Sequence, residues 1–276
     1  MVIGAAIPGG KIPLVWQDDF VSCLKAGVDI VSGSHDKISS MPKIATALKE
    51  SSARVHEVRH TVPTHFVTPG SRGEIKAKVL LIAGTDCAEG KRTTAVELLL
   101  GFRKLGIRSE IACTGQTGIM LGLGHGYVID NIIADYMQPA IETLICEIAA
   151  KTNCQLIIVE GQGALFHPEA SIGAIGLLHG SDPDAIVLCH DAKRDFFIGY
   201  PQCPIYKKQT LEKDLKAIEI LTPAYRMQPY TVSAISTLAD SVEKLSKKSS
   251  LPVFNCFNPA SVEKVCRTIA LNLGLL

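Results

Sequence analysis

The chain has 276 residues, enough for one large or two ordinary domains with a substantial core, and 47% of them are hydrophobic. A formal charge of +1 leaves no general basic field for nucleic acid and no acidic tail, so small molecules and copies of the chain itself, as a homo-oligomer, are the expected partners. No run approaches the roughly 18 apolar residues of a membrane helix, and nine cysteines without a CxxC pair read as reduced thiols of a cytoplasmic protein.

In chain order, strand-like runs at 2–7, 28–32 and 54–58 enclose two helical stretches. Three strands and two helices are a thin basis for an independent core, so residues 1–58 are expected to pack on a larger domain or on another subunit. Residues 59–76, RHTVPTHFVTPGSRGEIK, are polar and hold two prolines and two glycines, which marks them as a linker. Beyond it, strand-like runs at 78–83, 108–113, 155–160, 185–189, 230–235 and 252–256 alternate with helical periodicity at 93–105, 138–150, 209–221, 237–247 and 260–272. That alternation predicts an α/β domain over 77–276, a mostly parallel sheet with helices on both faces.

The first of these later strands carries the most informative stretch, KVLLIAGTDCAEGKRTT at 78–94. An apolar strand runs into a loop closed by Gly90-Lys91 and then into a helix, which is a phosphate cradle: backbone N–H groups point inward, Lys91 adds charge and the helix offers its N-terminus. Gly84, Thr85, Asp86, Gly90, Lys91, Arg92 and Thr93 are the candidate cofactor contacts. Five residues separate Gly84 from Gly90 where the common P-loop has four, and Arg92 stands where a Ser or Thr would place its hydroxyl on Mg²⁺. Asp86 could orient a ligand or brace the turn through its own backbone bonds.

The strand at 108–113 delivers TGQTG to the same sheet edge, where Gln116 and Thr117 are candidate substrate contacts. The run LIIVEGQGAL at 156–165 ends a buried strand at Glu160, and His167 follows shortly after; both are candidate general bases, and the glycine turn 161–163 could hold an oxyanion. His190 closes the strand AIVLC, and Arg194 beyond it could fork onto a substrate carboxylate or lie in a solvated loop. His125 sits in a glycine-rich stretch with no locating strand, and no histidine pair has zinc-ligand spacing, so no metal site is predicted.

The pair GTD-x3-GK and VEG-x-G resembles dethiobiotin synthetase-type P-loop proteins. A closer likeness covers nearly the whole chain: AGVDIVSGSHD at 26–36, GTDCAEGKRTT at 84–94, TGQTGIM at 114–120, VEGQGALFHP at 159–168 and GLLHGSDPDAIVLCH at 176–190 resemble the D-glutamate N-acetyltransferase-like family, a P-loop group long catalogued as a domain of unknown function. The resemblance implies acetyl transfer from acetyl-CoA to the amino group of D-glutamate or a related D-amino acid. It also implies that residues 1–58 are a partial Rossmann-like segment, since longer relatives carry a further βα unit ahead of it, and that His35 and Asp36 belong to the family's pattern. The alternatives from the residues themselves are an ATP- and Mg²⁺-using ligase or kinase of the dethiobiotin synthetase type and a non-catalytic nucleotide-binding protein.

Overall fold

The computed structural model describes all residues except 6–9, 62, 64, 224 and 225. Two parallel sheets organise it. The smaller contains β1 (Val2–Ile3), β2 (Ile30–Ser32) and β3 (Val55–Glu57) in the order β1-β2-β3, with helices α1 (Gln17–Lys25) and α2 (Pro42–Lys49) between successive strands. Phe20, Leu24, Ile30, Ile38 and Ile44 form its own core. The strand expected over 2–7 is confined to Val2–Ile3, and residues 6 and 7 lie outside the described residues.

The larger sheet has seven parallel strands in the order β10-β9-β8-β4-β7-β5-β6: β4 (Lys78–Gly84), β5 (Ser109–Cys113), β6 (His125–Gly126), β7 (Leu156–Glu160), β8 (Ala185–Cys189), β9 (Val232–Ser236) and β10 (Val253–Phe254). The apolar runs LIIV and AIVLC are buried throughout because helices cover both faces. One face packs α5 (Ala134–Thr152), α6 (Ser171–Ser181) and α7 (Leu211–Ile220) around Ile141, Leu144, Ile145 and Leu177; the other packs α3 (Lys91–Lys104) and α9 (Pro259–Asn272) around Leu98, Phe102, Val265 and Ile269. The α9 start is spelled out locally, since the Asn258 side chain accepts from Ser261 N–H and Pro259 takes the first helical position.

Three details differ from expectation. TGQTG, for which no helix is expected, leads directly into a short one, α4 (Gln116–Met120). His125 does have a strand, the two-residue edge β6 on β5. The helix expected over 237–247 is a helical turn at Ala239–Ser241 followed by α8 (Val242–Ser246).

The segment between the two sheets is tied at both ends. Arg59, only 3% exposed at its side chain, donates from Nε to the Gly33 carbonyl at 2.9 Å and pairs with Asp130 of the larger domain. Arg72 donates to the carbonyls of Ser181 and Asp182, both at 2.9 Å. No helix among the described residues is long and apolar enough to cross a membrane.

Candidate functional site

β4 lies between β8 and β7, so its end delivers residues 84–90 to the middle of the sheet's C-terminal edge. Gly90 has φ of 81°, a left-handed conformation that a Cβ disfavours, and it turns the loop into α3. The first backbone bond of that helix is Thr94 N–H to the Gly90 carbonyl at 2.8 Å. The amides of Lys91, Arg92 and Thr93 have no acceptor among the described residues and remain free for an anion.

Lys91 runs back beneath the loop, where its Nζ donates to the Asp86 carbonyl at 2.6 Å. Two glycines make room for it. A Cβ on Gly84 would stand 3.0 Å from both Cδ and Nζ of Lys91, and one on Gly161 would stand 3.1 Å from Cδ and 1.8 Å from the Ile82 carbonyl oxygen. Lys91, Arg92, Thr93, Cys87, Glu160, Gln162 and their neighbours line an open cleft of about 280 Å³.

The acidic groups of the loop point inward and are already engaged. Glu89 folds back so that its carboxylate accepts from the N–H groups of Thr85 (3.0 Å), Asp86 (2.9 Å) and Asp191 (3.0 Å), and Lys208 pairs with it at 2.5 Å. Asp86 is fully buried: Oδ1 accepts from Cys87 N–H at 2.7 Å, and Oδ2 accepts from Arg194 at 2.7 Å and from Ile198 N–H at 3.0 Å. Asp86 and Thr85 therefore brace the loop from within and do not face the cleft. Asp214, on α7 near the Glu89–Lys208 pair, has its carboxyl pushed up to about 7, chiefly by burial, with Lys208 opposing and Glu89 adding to the rise.

The remaining expected site residues fall into two groups. Arg194 and His190 lie behind the loop. The Arg194 guanidinium is taken up by Asp86 and by the Cys87 carbonyl at 2.8 Å, and His190 Nδ1 meets Thr85 Oγ1 at 2.9 Å, so neither is placed for the substrate contact expected of it. Burial holds the His190 imidazole below its ordinary range, with Lys208 adding to the effect. Gln116 and Thr117 stand on the other side, at the start of α4, where the smaller domain meets the larger. A Cβ on Gly33 of the smaller domain would lie 2.6 Å from Gln116 Cγ.

Both residues expected to be bases already hold bonds within the protein. Glu160 is 2% exposed; its Oε1 accepts from Arg92 Nε at 2.7 Å, and Oε2 accepts from the N–H groups of Thr114 (3.1 Å) and Gly115 (3.3 Å). His167 Nδ1 accepts from the N–H groups of Glu169 and Ala170, both at 3.2 Å, which assigns the ring proton to Nε2. Nε2 is a buried donor without a partner, 3.7 Å from Asp86 Oδ1, and the ring packs edge-on against Phe197 and Tyr200. Asp86, Cys87 and His167 bring one metal-ligand-type atom each within 4.8 Å of one another, but the Arg194 charge on Asp86 and the proton on Nε2 both oppose a cation there. Burial also pushes the Cys87 thiol up, away from thiolate.

Sequence reasoning missed Glu89 and Lys208. Glu89 carries the one available signal, an acidic residue inside an anion-binding loop. Lys208 has none, because it meets Glu89 only through tertiary packing 119 residues along the chain.

Comparison with known proteins places the chain among similar sequences and folds. Residues 66–266 match a family described as a domain of unknown function, DUF1611_C, P-loop domain, and residues 1–61 match DUF1611_N, Rossmann-like domain. A protein named D-glutamate N-acetyltransferase from a Pseudoalteromonas species is 31% identical over 263 residues, covering 94% of this chain and 76% of the relative. One of the same name from Tritonibacter scottomollicae is 35% identical over 201 residues, covering 73% of this chain and 59% of the relative. The crystal structure of a DUF1611 family protein from Anabaena variabilis superposes with a TM-score of 0.85 at 25% identity, covering 96% of this chain and 79% of that one.

Proposed function

The chain belongs to the DUF1611 family, and from that premise we propose that it is an N-acetyltransferase that moves the acetyl group of acetyl-CoA to the amino group of D-glutamate or a related amino acid. The observation that carries the proposal is the division of labour in the cradle. Lys91 and the free amides of residues 91–93 are left for a phosphate-bearing ligand, while Arg92, in the place of the metal-binding hydroxyl, is turned onto Glu160. Of the nearest hydroxyls, Thr94 is buried and bonded to Ser236 Oγ at 2.9 Å. Such a cradle suits a ligand that is held by its phosphates and reacts elsewhere. Acetyl-CoA is that kind of ligand, because its pyrophosphate and its thioester lie at opposite ends of the pantetheine arm. The names of the two relatives support the same reaction.

The arm has a consequence for roles. With the pyrophosphate at Lys91, the reacting carbonyl lies an arm's length away, so Glu160, His167 and the 161–163 turn serve the cradle and not the bond being made. Glu160 fixes Arg92 and the 114–115 amides, and His167 supports the loop through its contacts with residues 169 and 170.

Isothermal titration of the purified chain with acetyl-CoA, ATP and GTP, each with and without Mg²⁺, tests the proposal. Acetyl-CoA is expected to bind with an affinity that chelation leaves unchanged. Binding of ATP that requires Mg²⁺, together with ATP consumption, would replace acetyl transfer with ligase or kinase chemistry.

A further inference from the structure

The cradle does not account for where the amine is held or what takes its proton, and the contact between the two domains holds polar groups that could do both. The C-terminal edge of the small sheet meets the start of α4 there: the helical turn Val58–His60 packs on α4 and on β2, and Arg59 clamps Gly33 and Asp130 together. This seam holds two of the four buried side-chain polar atoms without a hydrogen-bond partner among the described residues, Glu57 Oε2 and His60 Nε2. The other Glu57 oxygen accepts from Ser39 N–H at 2.7 Å, which fixes the carboxylate in place. The Gln116 amide, on the facing helix, also makes no hydrogen bond among the described residues, and its stem rests against Gly33.

The seam is continuous with the cradle. Around Gly115, the residue before Gln116, a Cβ would lie 2.5 Å from Gln162 Nε2 and 3.4 Å from Arg92 Nη2, and both of those side chains line the cleft beside Lys91. Packed contacts thus link Lys91's cleft, through Arg92, Gln162 and Gln116, to the element that carries Glu57 and His60. A buried carboxylate oxygen and a buried imidazole nitrogen without partners each cost free energy in the unliganded protein. An ammonium held between them would satisfy both.

We propose that the seam is the amino-acid site, with Glu57 holding the substrate ammonium and His60 Nε2 accepting its proton; this rests on the acetyl-transfer function proposed above. The ammonium gives one proton to His60 Nε2, which passes it to solvent. The amine nitrogen then bonds to the thioester carbonyl carbon, the carbon–sulfur bond breaks, and the departing CoA thiolate takes the second nitrogen-bound proton. The products are the N-acetyl amino acid, CoA thiol and one released proton. Gln116, with a donor and an acceptor and its stem packed on Gly33 at the same seam, is suited to the substrate's carboxylate end.

The test uses the full chain, with Glu57→Gln and His60→Gln compared against wild type after their melting temperatures confirm folding. CoA release is followed with a thiol reagent while D-glutamate is varied at saturating acetyl-CoA, and calorimetry measures D-glutamate and acetyl-CoA binding separately. His60→Gln is expected to lower kcat by about 10²-fold or more, and Glu57→Gln to weaken D-glutamate binding by about 10-fold or more, with acetyl-CoA affinity unchanged in both. If both variants keep kcat and D-glutamate affinity within two-fold of wild type while Lys91→Ala disables turnover, the seam assignment is overturned and acetyl transfer stands. If wild type binds D-glutamate but releases no CoA, and Glu57→Gln removes that binding, acetyl transfer falls and the seam stands as a binding site. If wild type binds no D-glutamate at all, the seam assignment is overturned for that substrate.

Discussion

The cradle and the seam are linked through Arg92, Gln162 and Gln116, yet they treat their carboxylates in opposite ways. In the cradle, Glu89 pairs with Lys208, Asp86 with Arg194 and Glu160 with Arg92, and backbone N–H groups take up the remaining carboxylate oxygens. In the seam, Glu57 and His60 each keep a buried atom without a partner. A closed circuit of charges fixes a shape that the ligand finds ready, whereas buried groups without partners leave a cost that only a ligand removes. The comparison teaches that charge in a cleft is weak evidence for catalysis when its partners are already present, and that a buried carboxylate oxygen left unmet is the better guide.

The largest effect expected comes from breaking the cradle's backbone. Gly161→Ala would put a Cβ 1.8 Å from the Ile82 carbonyl oxygen, between two central strands, where neither side can give way. A loss of more than about 4 kcal/mol, or failure to fold, is expected in urea titration; a variant within about 1 kcal/mol of wild type would show that the loop is not held as tightly as its contacts imply. Next comes Lys208→Met. The Glu89 carboxylate is fully buried and its Lys208 partner 3% exposed at the side chain, so removal of the cation leaves an uncompensated charge, at a cost of about 3 to 5 kcal/mol.

Asp214 extends that circuit into pH dependence. Its carboxyl is raised from 3.8 to about 7, so between those values the folded protein holds a proton that the unfolded chain has lost. The stability this group contributes is therefore full below about pH 4 and falls as pH rises through 7, with an upper bound of about 4 kcal/mol at 1.36 kcal/mol per pH unit. Asp214→Asn should flatten the stability profile over that window and leave the variant more stable than wild type at pH 8. A profile parallel to wild type would mean that the carboxylate is stabilised by its surroundings after all.

A smaller effect on binding, and none on fold, is expected for Lys91→Ala. Its Nζ donates to a single carbonyl within the protein, so the chain can spare it, but a phosphate cannot. Acetyl-CoA affinity should fall by about 2 to 3 kcal/mol, the scale of a charge-assisted contact, with the melting curve within about 1 kcal/mol of wild type. Unchanged affinity would remove the cradle from the site.

The two regions also differ in how legible they are in the sequence. The cradle could be read because its determinants are local: an apolar strand, Gly84, Gly90 and Lys91 all lie within fourteen residues, from 78 to 91. The strand alternation of the larger sheet was legible for the same reason, through apolar runs such as LIIV and AIVLC whose continuity demands burial on both faces. What the sequence could not convey is which charges cancel. Glu160 and His167 sit where a base would be expected, yet Arg92 and the 169–170 amides occupy their lone pairs, and those partners follow from the packing of separate elements. The seam was hidden more deeply. Glu57 and His60 lie in a polar stretch at the edge of a presumed linker, and only the docking of one domain on the other, with Gly33 against Gln116, shows that Glu57 Oε2 and His60 Nε2 are buried.

The smallest effect is the one that separates the two regions most sharply, and it concerns the stability of the unliganded protein. Removing a paired charge from the cradle, such as Lys208 beside Glu89, should destabilise, because it strands a buried partner. Glu57→Gln should not: the amide oxygen can still accept from Ser39 N–H, and the change exchanges a buried carboxylate oxygen without a partner for a less costly neutral group. His60→Gln likewise removes a nitrogen that bonds to nothing. Urea titration without ligand should place both variants between no change and a gain of about 1 kcal/mol. Saturating D-glutamate should then stabilise wild type and fail to stabilise Glu57→Gln to the same extent, since only a ligand-binding native state is stabilised by mass action. A loss of about 2 kcal/mol or more in the unliganded variants would show that these groups support the domain contact itself, and the contrast between a closed cradle and an open seam would no longer hold.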